Sequence, residues 1–418
     1  MSERRYKWEL LGLLCLAFFF HQGDRAIFGV VATEIQADLD LSKRQIGLVG
    51  SILFWTIAVM TPIAGYLGDV LRKKVMITGA LLFWSSTTVL TGLSRGFFSL
   101  ALLRSVATGG SESFYAPPAY ALLARFHQKT RALAMSVHQA ALYVGVMTSG
   151  LIGGLIAQLW GWRSVFYVYG GVGVLIGLVF LFRLKDDRDF VDDEREAGPA
   201  ARPKWENPLR SLSLIFRTPT ALLLTTGFTA VVFVNNAYVV FAPAFLEEKF
   251  GLSKMVAGTY AMFFHHLAAL VGVLIGGPIS DALAPRVAGG RLRIQTAAML
   301  LGAVAIVYMG FGATVLAACA GMAVFGLFRG LYESNTHASL FEVIEPKYRS
   351  SAVGAMVMVA FLAGAAAPWL MGVLCDQGLT MSSVFAGYSL AYVIGGLAVG
   401  LALVVFYKRD RIVEDTAL

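Results

Sequence analysis

The chain has 418 residues, of which 57% are hydrophobic and only 14% are charged, well below the quarter of charged residues usual in soluble domains. This composition excludes an ordinary soluble domain and indicates an integral membrane protein. The net charge of +8 does not indicate nucleic-acid binding, because the basic residues stand in short segments between apolar runs, and the three cysteines lack metal-ligand spacing.

The apolar runs predict an all-α membrane protein with twelve transmembrane helices, numbered here as spans 1 to 12. In chain order the spans cover residues 8–33, 45–70, 75–95, 97–126, 132–159, 162–184, 219–246, 254–283, 294–312, 314–343, 350–375 and 382–407. An even number of spans puts both termini on one side, and that side then holds 25 of the 34 Lys and Arg residues. The positive-inside rule therefore predicts that both termini are cytoplasmic, in what we expect to be a bacterial inner membrane.

A single long hydrophilic stretch divides six spans from six. Residues 185–217 carry acidic runs and three prolines, which is typical of a solvated linker, with a short surface helix as the alternative. The predicted organisation is therefore an N-terminal six-helix bundle over residues 1–184, a cytoplasmic linker over 185–217 and a C-terminal six-helix bundle over 218–418.

The two halves repeat one another. Matching motifs recur at offsets between 211 and 225 residues, which indicates one duplicated six-span unit. Because six is even, the two copies run parallel and are related by an axis along the membrane normal. The paired motifs are Leu41-Ser42-Lys43 with Leu252-Ser253-Lys254, Asp69 with Asp281, Arg104 with Arg329, Lys129-Thr130-Arg131 with Lys347-Tyr348-Arg349, and Ser164-Val165-Phe166 with Ser383-Val384-Phe385.

Several of these motifs resemble a known family. The loop from Gly65 through Asp69 to Lys74 resembles the signature between spans 2 and 3 of the major facilitator superfamily, with Arg72 where that signature usually has glycine. Within the superfamily, the chain looks like the anion:cation symporters, and the spinster family is similar over the same residues. The residues that carry this likeness are Asp24-Arg25, Arg104 through Glu112 to Pro117-Pro118, Arg131-Ala132 and Gly161-Trp162-Arg163.

The resemblance implies two bundles of six helices that work by alternating access, and a transporter rather than an enzyme. The symporters carry sugar acids and other organic carboxylates with protons, whereas spinster proteins carry lysophospholipids and sphingolipids. One spacing departs from both families, because the arginine and glutamate of span 4 are typically seven residues apart and Arg104 and Glu112 are eight apart. In a regular helix Ser111 would take the family position and Glu112 would be turned by about 100°. Gly109-Gly110 and the nearby prolines are candidates for the irregularity that would correct this.

Six strongly charged side chains lie inside the predicted spans, three positive and three negative: Asp24, Arg25, Arg104, Glu112, Arg329 and Glu333. A charge at mid-membrane costs about 2.5 to 3.5 kcal/mol on insertion scales, so such residues usually mark an ion or substrate pathway. Protonating one carboxylate leaves the set at +1 and favours the binding of a monocarboxylate, which is the basis of a symport hypothesis.

The individual roles follow from side-chain chemistry and spacing. Arg25 is assigned to the substrate carboxylate because a guanidinium binds carboxylates in bidentate fashion, and Asp24 is assigned to the proton. The alternative is a structural ion pair that holds span 1 to a neighbour. Arg104 is either a structural residue or a substrate ligand. Arg329 and Glu333 are spaced i, i+4, so they either pair within span 10, or Arg329 faces the substrate and is released when Glu333 is protonated.

Polar residues on the spans that line the cavity in this superfamily are candidates for recognising substrate hydroxyls, with helix packing as the alternative. They are Tyr115 on span 4, Asn235, Asn236 and Tyr238 on span 7, and Tyr332, Asn335 and His337 on span 10. The proton-linked role in the family is carried over to Glu112, and Glu333 is a third candidate for the coupling proton. Five of the six histidines lie in spans, but none is assigned a role.

The cytoplasmic ends of spans 2 and 8 carry charges that are candidates for gating contacts. These are Asp69, Arg72 and Lys73 after span 2, and Asp281 with Arg286 after span 8; charges that only set the topology are the alternative. The sequence thus predicts a monomeric proton-coupled symporter of a small organic anion, a hexuronate or aldonate, with no cofactor besides the coupling ion. A spinster-like lipid transporter is the alternative; a membrane enzyme would need metal ligands or an activated nucleophile near the surface, and a non-transporting receptor would move no solute.

Overall fold

The computed structural model describes residues 3–127, 130–185, 213, 215–284, 286–345 and 348–412, and all regular secondary structure in these residues is helical. Ten of the described helices are long and apolar enough to cross a membrane, and the helical segments of spans 3 and 4 complete the twelve. The all-α prediction with twelve spans is therefore confirmed. Most of the predicted linker 185–217 lies outside the described residues.

Spans 1 to 6 are Glu3–Val30, Lys43–Val70, Lys73–Thr91, a divided fourth span, Arg131–Trp160 and Trp162–Arg183; the fourth consists of Phe97–Leu100, Ala101–Ala107, Thr108–Glu112 and Ala116–Phe126. Spans 7 to 9 are Pro219–Phe250, Lys254–Leu283 and Gly290–Phe311. Span 10 is Val315–Glu333 with Thr336–Phe341, span 11 is Arg349–Gly364 with Ala366–Asp376, and span 12 is Met381–Leu401, Ala402–Phe406 and Tyr407–Asp410. A short helix, Ala32–Asp38, follows span 1.

The described residues form two compact units. Unit 1 comprises the described parts of Met1–Trp205 with Leu252–Met262, and unit 2 those of Glu206–Gly251 with Phe263–Leu418. Inside unit 1, span 1 packs along span 5 and span 3 along span 6. Inside unit 2, span 7 packs along span 11 and span 9 along span 12. The same helix pairs thus recur at corresponding positions, as the internal repeat predicts.

Local sequence signals explain where the spans of unit 1 begin and how closely they approach. Ser42 starts span 2 with a capping box: Gln45 N donates to Ser42 Oγ at 3.2 Å, and Ser42 N donates to Gln45 Oε1 at 2.9 Å. Gly145 lies where span 5 crosses span 1, and a Cβ there would collide with the Phe19 carbonyl oxygen. This small residue lets the polar stretch of span 1 lie close to its neighbour.

The Gly161-Trp162-Arg163 motif, between spans 5 and 6, hydrogen-bonds to the segments that follow spans 1 and 3. Gly161 separates spans 5 and 6 with a φ of 78°, a left-handed conformation that favours glycine. Arg163 Nη1 donates to Asp38 Oδ2 at 2.5 Å and Arg163 Nη2 donates to the Ser94 carbonyl at 3.2 Å. Trp162 Nε1 also donates to Asp38, at 3.2 Å. The hydrogen bond from Arg163, followed by that from Trp162, holds the pKa of Asp38 below its usual value.

Candidate functional site

Span 4 contains a π-helical segment that resolves the unusual spacing of its charges. Residues Ala101–Ala107 are π-helical, so the chain accommodates one extra residue here before regular α-helix resumes at Thr108. Glu112 is consequently turned inward and is 1% exposed. Ser111 instead donates its hydroxyl to the carbonyl of Ala107 on its own helix, at 2.8 Å. The irregularity lies before Gly109-Gly110, which stand in regular α-helix.

Deleting Val106, an exposed residue of the π-helical segment, is expected to convert span 4 to continuous α-helix and to leave Arg104 and Glu112 seven residues apart. Arg104 and Glu112 then keep their partners. The free energy of unfolding should fall by about 1 kcal/mol, as for an ordinary substitution, and the apparent melting temperature in detergent by no more than about 5 °C. Inserting one alanine after Val106 is the matched control, because it rotates Glu112 by about 100° and separates it from Arg25. Equal stability of the two variants would contradict the assignment.

Asp24 and Arg104 form a buried ion pair between spans 1 and 4. Arg104 Nη1 donates to Asp24 Oδ2 at 3.0 Å, and Arg104 Nη2 donates to the Asp24 carbonyl at 2.7 Å. Thr88 Oγ1 of span 3 donates to the same carboxylate oxygen at 3.1 Å. The side chains of Arg104 and Asp24 are only 1% and 4% exposed, so removing either charge leaves the other buried.

Arg25 and Glu112 form a second pair between the same two spans. Arg25 Nε donates to Glu112 Oε2 at 2.7 Å. The two ends of this pair differ in exposure, because the Arg25 side chain is 20% exposed whereas Glu112 is 0% exposed. Glu112 Oε1 and His21 Nε2, which lies 3.9 Å from Glu112 Oε2, are buried and have no hydrogen-bond partner among the described residues. A ligand that reaches this pair therefore meets the guanidinium first.

The two pairs show how adjacent charges on one helix are used. Asp24 and Arg25 point in directions about 100° apart, and each takes the residue of opposite charge on span 4. The four charged side chains inside spans 1 and 4 thus cancel in two separate pairs.

Tyr115 lies in an aromatic cluster of unit 1. It is fully buried, and its hydroxyl donates to the Leu14 carbonyl at 2.6 Å. Because that hydroxyl has one proton, it accepts from His138 Nε2, 3.1 Å away. Its ring stacks at 5.8 Å from Phe18 and meets Trp84 edge to face at 5.8 Å. These contacts place Tyr115 among packed rings, one turn of chain beyond Glu112.

Unit 2 holds the corresponding cluster around Arg329. Arg329 Nε donates to Glu333 Oε1 at 2.8 Å, so the i, i+4 pair within span 10 is formed. Arg329 Nη1 donates to Asn235 Oδ1 at 2.5 Å and lies 3.0 Å from His265 Nε2. The side chains of Arg329 and Glu333 are 12% and 24% exposed. Three spans, 7, 8 and 10, therefore meet at one guanidinium.

The other polar candidates of unit 2 lie near this cluster or at the break in span 10. Asn236 is buried next to Asn235, and in the part of the chain that the structure describes its Nδ2 has no hydrogen-bond partner. Tyr332 is buried beside Glu333. Asn335 donates from Nδ2 to the Leu331 carbonyl at 3.1 Å, where span 10 is interrupted, and no described residue donates to its buried Oδ1. Asn236 and Asn335 thus each keep unused hydrogen-bonding capacity.

The candidate gating charges are placed differently from one another. Arg291 of span 9 donates to Asp281 at 2.6 Å and forms an ion pair with Glu342 at 3.2 Å. The cation that pairs with Asp281 is therefore Arg291, whereas the sequence suggested Arg286. Tyr407 donates to Glu342 at 2.7 Å. At the start of span 3, Arg72 is exposed and Lys73 is half-buried. The side chain of Asp69 lies outside the described residues.

Sequence reasoning did not find three contributors, namely His265, Arg291 and Glu342. His265 is a polar residue in an apolar span, which is a signal for function, but nothing in the sequence distinguishes it from the other intramembrane histidines. Arg291 and Glu342 looked like ordinary topology charges, since pairing across 51 residues leaves no local pattern. Among the described residues there is no group of three or more side chains that could hold a metal ion.

The family model described as Major Facilitator Superfamily matches residues 14–368. Among similar proteins, Protein spinster homolog 1 of Bos taurus is 27% identical over 398 residues, covering 88% of this chain and 73% of that protein. An MFS-type efflux pump of Mycolicibacterium smegmatis is 26% identical, covering 98% and 91%. The probable sulfoacetate transporter SauU of Cupriavidus necator is 27% identical, covering 96% and 93%.

Two solved structures have a similar fold. A bacterial homolog of the human lysosomal transporter Spinster, in an inward-facing and unoccupied conformation, gives a TM-score of 0.78 at 21% identity, covering 98% of this chain and 99% of that one. The nucleoside transporter NupG gives a TM-score of 0.73 at 12% identity, covering 94% and 98%. At these identities the likeness concerns the fold alone.

Proposed function

The chain belongs to the major facilitator superfamily and is a multi-pass membrane transporter, not an enzyme; we propose that it is a proton-coupled symporter of a small organic anion. The proposed substrate class is a sugar acid, a hexuronate or aldonate, moved by alternating access. The observation that carries the proposal is the Arg25–Glu112 pair, in which a partly exposed guanidinium is neutralised by a fully buried carboxylate. The relationship to a probable sulfoacetate transporter supports an anionic substrate.

The charge balance inside spans 1 and 4 explains why a proton on Glu112 would favour anion binding. Asp24, Arg25, Arg104 and Glu112 sum to zero, so the empty site carries no net charge to attract an anion. A proton on Glu112 brings the set to +1 and removes the ionic partner of Arg25. A substrate carboxylate then binds the guanidinium in the place that Glu112 gives up.

Proton and substrate therefore favour each other's binding. By linkage, a protonated Glu112 raises the affinity for the anion by the same factor as the bound anion raises the affinity for the proton. Couplings of about 1 to 3 kcal/mol, or roughly 5- to 150-fold, are typical of such pairs of sites. Symport follows if the unit changes conformation only when it is neutral or fully loaded.

The remaining candidate residues have secondary roles in this proposal. Asp24 and Glu333 are further proton-coupling carboxylates, and Arg329 is a further substrate-binding residue. Hydroxyl recognition is proposed for Tyr115, Asn235, Asn236, Tyr332 and Asn335, and cytoplasmic gating for Asp69, Arg72, Lys73 and Asp281. We further propose a monomer in a bacterial inner membrane with both termini cytoplasmic.

A second candidate function is transport of a lysophospholipid or sphingolipid, as in the spinster family. It is favoured by the similarity to mammalian spinster proteins along most of their length. The charged pairs of spans 1 and 4 would then serve a zwitterionic or phosphate-bearing headgroup.

The test is uptake into proteoliposomes of labelled D-glucuronate, D-gluconate, sulfoacetate and lysophosphatidylcholine, with and without an inward proton gradient. We expect the gradient to drive accumulation of a sugar acid by the wild type, and Asp24→Asn and Arg25→Ala to abolish it. Uptake of lysophosphatidylcholine alone would support the second candidate. Sugar-acid uptake that ignores the gradient would overturn proton coupling.

A further inference from the structure

A histidine that the transport proposal does not use lies against Arg329. His265 of span 8 is fully buried, with Nε2 3.0 Å from Arg329 Nη1 and Nδ1 3.3 Å from the Met322 carbonyl oxygen. A guanidinium nitrogen only donates and a carbonyl oxygen only accepts. Nε2 is therefore the acceptor and Nδ1 carries the ring proton, so the contacts define His265 as a neutral imidazole of one tautomer.

The packing of unit 2 holds this ring in place. Tyr238 lies 4.4 Å from it and Phe325 lies 4.7 Å from it, centroid to centroid, and His266 meets it edge to face at 4.9 Å. Gly326 of span 10 lies against the His265 backbone, where a Cβ would collide with the His265 carbonyl oxygen. Spans 8 and 10 thus touch directly, and the acceptor nitrogen is presented to Arg329 from a rigid position.

The internal repeat shows what is distinctive about this contact. Arg329 stands where the first repeat has Arg104, at an offset of 225, and Asn235 stands where it has Asp24, at an offset of 211. Arg104 is held by the carboxylate of Asp24. Arg329 is held by an amide oxygen and an imidazole nitrogen, and the negative charge comes from Glu333 on its own helix.

Because the partners of Arg329 on spans 7 and 8 are neutral, protonation of Glu333 does not remove them. When Glu333 is protonated, Arg329 loses the charge of this carboxylate and keeps two neutral acceptors on Nη1, which fix the plane of the guanidinium. A guanidinium held in a fixed plane presents its donors to a substrate oxygen in a defined geometry. Without His265, the released side chain would lose half of this support and adopt several rotamers, at a cost in binding entropy.

We propose that His265 is a positioning residue that holds Arg329 in the orientation in which it binds the substrate. This inference deepens the proposed function and rests on its assignment of Arg329 to the substrate. It requires a neutral ring, because a protonated imidazole cannot accept from Arg329 and would repel it. The groups that lie against the ring are Tyr238 on span 7, His266 on span 8, and Arg329 and the Met322 carbonyl on span 10, and Asn235 and Glu333 are hydrogen-bonded to Arg329.

Two substitutions distinguish the effect of the hydrogen-bond acceptor at position 265 from that of the aromatic ring. His265→Gln keeps an acceptor oxygen, and His265→Phe keeps an aromatic ring without one. In D-glucuronate uptake we expect His265→Phe to raise KM about tenfold while kcat changes less than about twofold, since Arg329 loses the charge-assisted hydrogen bond that orients it for binding. We expect His265→Gln to stay within about threefold of the wild-type KM. A KM that rises equally in both variants would overturn the positioning role.

A second measurement determines the tautomer of His265 in the wild-type protein and needs no known substrate. In histidine-¹⁵N-labelled protein, the resonances lost in His265→Gln identify His265. We expect a protonated Nδ1 and an unprotonated Nε2, with the Nε2 shift moving in Arg329→Gln. A protonated Nε2, or an Nε2 shift indifferent to Arg329→Gln, would overturn the inference. If D-glucuronate is not transported and Arg329→Gln has no effect on any transported anion, the proposed function fails, and the ¹⁵N result alone decides the His265–Arg329 contact.

Discussion

Replacing Arg104 by methionine is expected to destabilise the protein by about 3 to 5 kcal/mol, because it leaves the Asp24 carboxylate buried without its ionic partner. For a domain of about 200 residues this corresponds to a loss of roughly 6 to 20 °C in melting temperature. The measurement is tryptophan fluorescence during thermal unfolding in detergent at fixed protein concentration.

The control is the double variant Asp24→Asn with Arg104→Gln. It replaces both charges by neutral amides that can still hydrogen-bond, so no uncompensated charge stays buried and the variant should recover at least half of the lost stability. Thr88, which donates to the Asp24 carboxylate in the wild type, can still donate to the amide oxygen of the introduced asparagine. If the single and double variants melted together, the Asp24–Arg104 pair would contribute little, and the role of Arg104 would have to be sought in substrate binding.

Replacing Glu112 by glutamine is expected to separate anion binding from proton coupling. Glutamine mimics the protonated carboxyl group, so Arg25 is left permanently available to an anion. At pH 8, D-glucuronate should bind the variant about 5- to 150-fold more tightly than the wild type, and this affinity should not change between about pH 6 and pH 8. Wild-type affinity should weaken as the pH rises, because the proton that binds with the substrate becomes scarcer. Calorimetry in detergent measures both.

Proteoliposome uptake completes this prediction. The Glu112→Gln variant should exchange labelled for unlabelled D-glucuronate but should not accumulate it in response to a proton gradient. Glu112→Asp retains a titratable group and should retain gradient dependence at a reduced rate. Ser111→Ala is the neighbouring control, since among the described residues that hydroxyl bonds only to carbonyls of its own span. Normal accumulation by Glu112→Gln would assign the coupling proton to another carboxylate.

Much of the fold could be predicted from the chain alone. Apolar runs of about 20 or more residues have few alternatives to membrane helices, since lipid satisfies no backbone hydrogen bond. The repeat was readable because paired motifs such as Leu41-Ser42-Lys43 and Leu252-Ser253-Lys254 occupy equivalent turns of the two halves. Its consequence, the recurrence of helix pairs 1–5 and 3–6 as 7–11 and 9–12, is seen in the packing.

The candidate site was only partly predictable. The charged residues stood out because charge inside a span is costly, and the i, i+4 pair of Arg329 and Glu333 follows from helix geometry. Which charge pairs with which across helices did not follow from spacing. Arg25 takes Glu112 only because the π-helical segment turns that residue inward.

The sequence by itself determined the membrane class, the twelve spans, the two-fold repeat and the identity of the intramembrane charges. Those features depend on local composition and on periodicity, which are properties of neighbouring residues. The tertiary structure alone decided the partners: Asp24 with Arg104, Arg25 with Glu112, and Arg329 with Asn235 and His265. Each of these contacts joins residues between 64 and 94 positions apart in the chain, and a one-residue change in helix register moves a side chain by about 100°. The pairing of buried charges is therefore set by how helices pack and where one of them deviates from regular geometry.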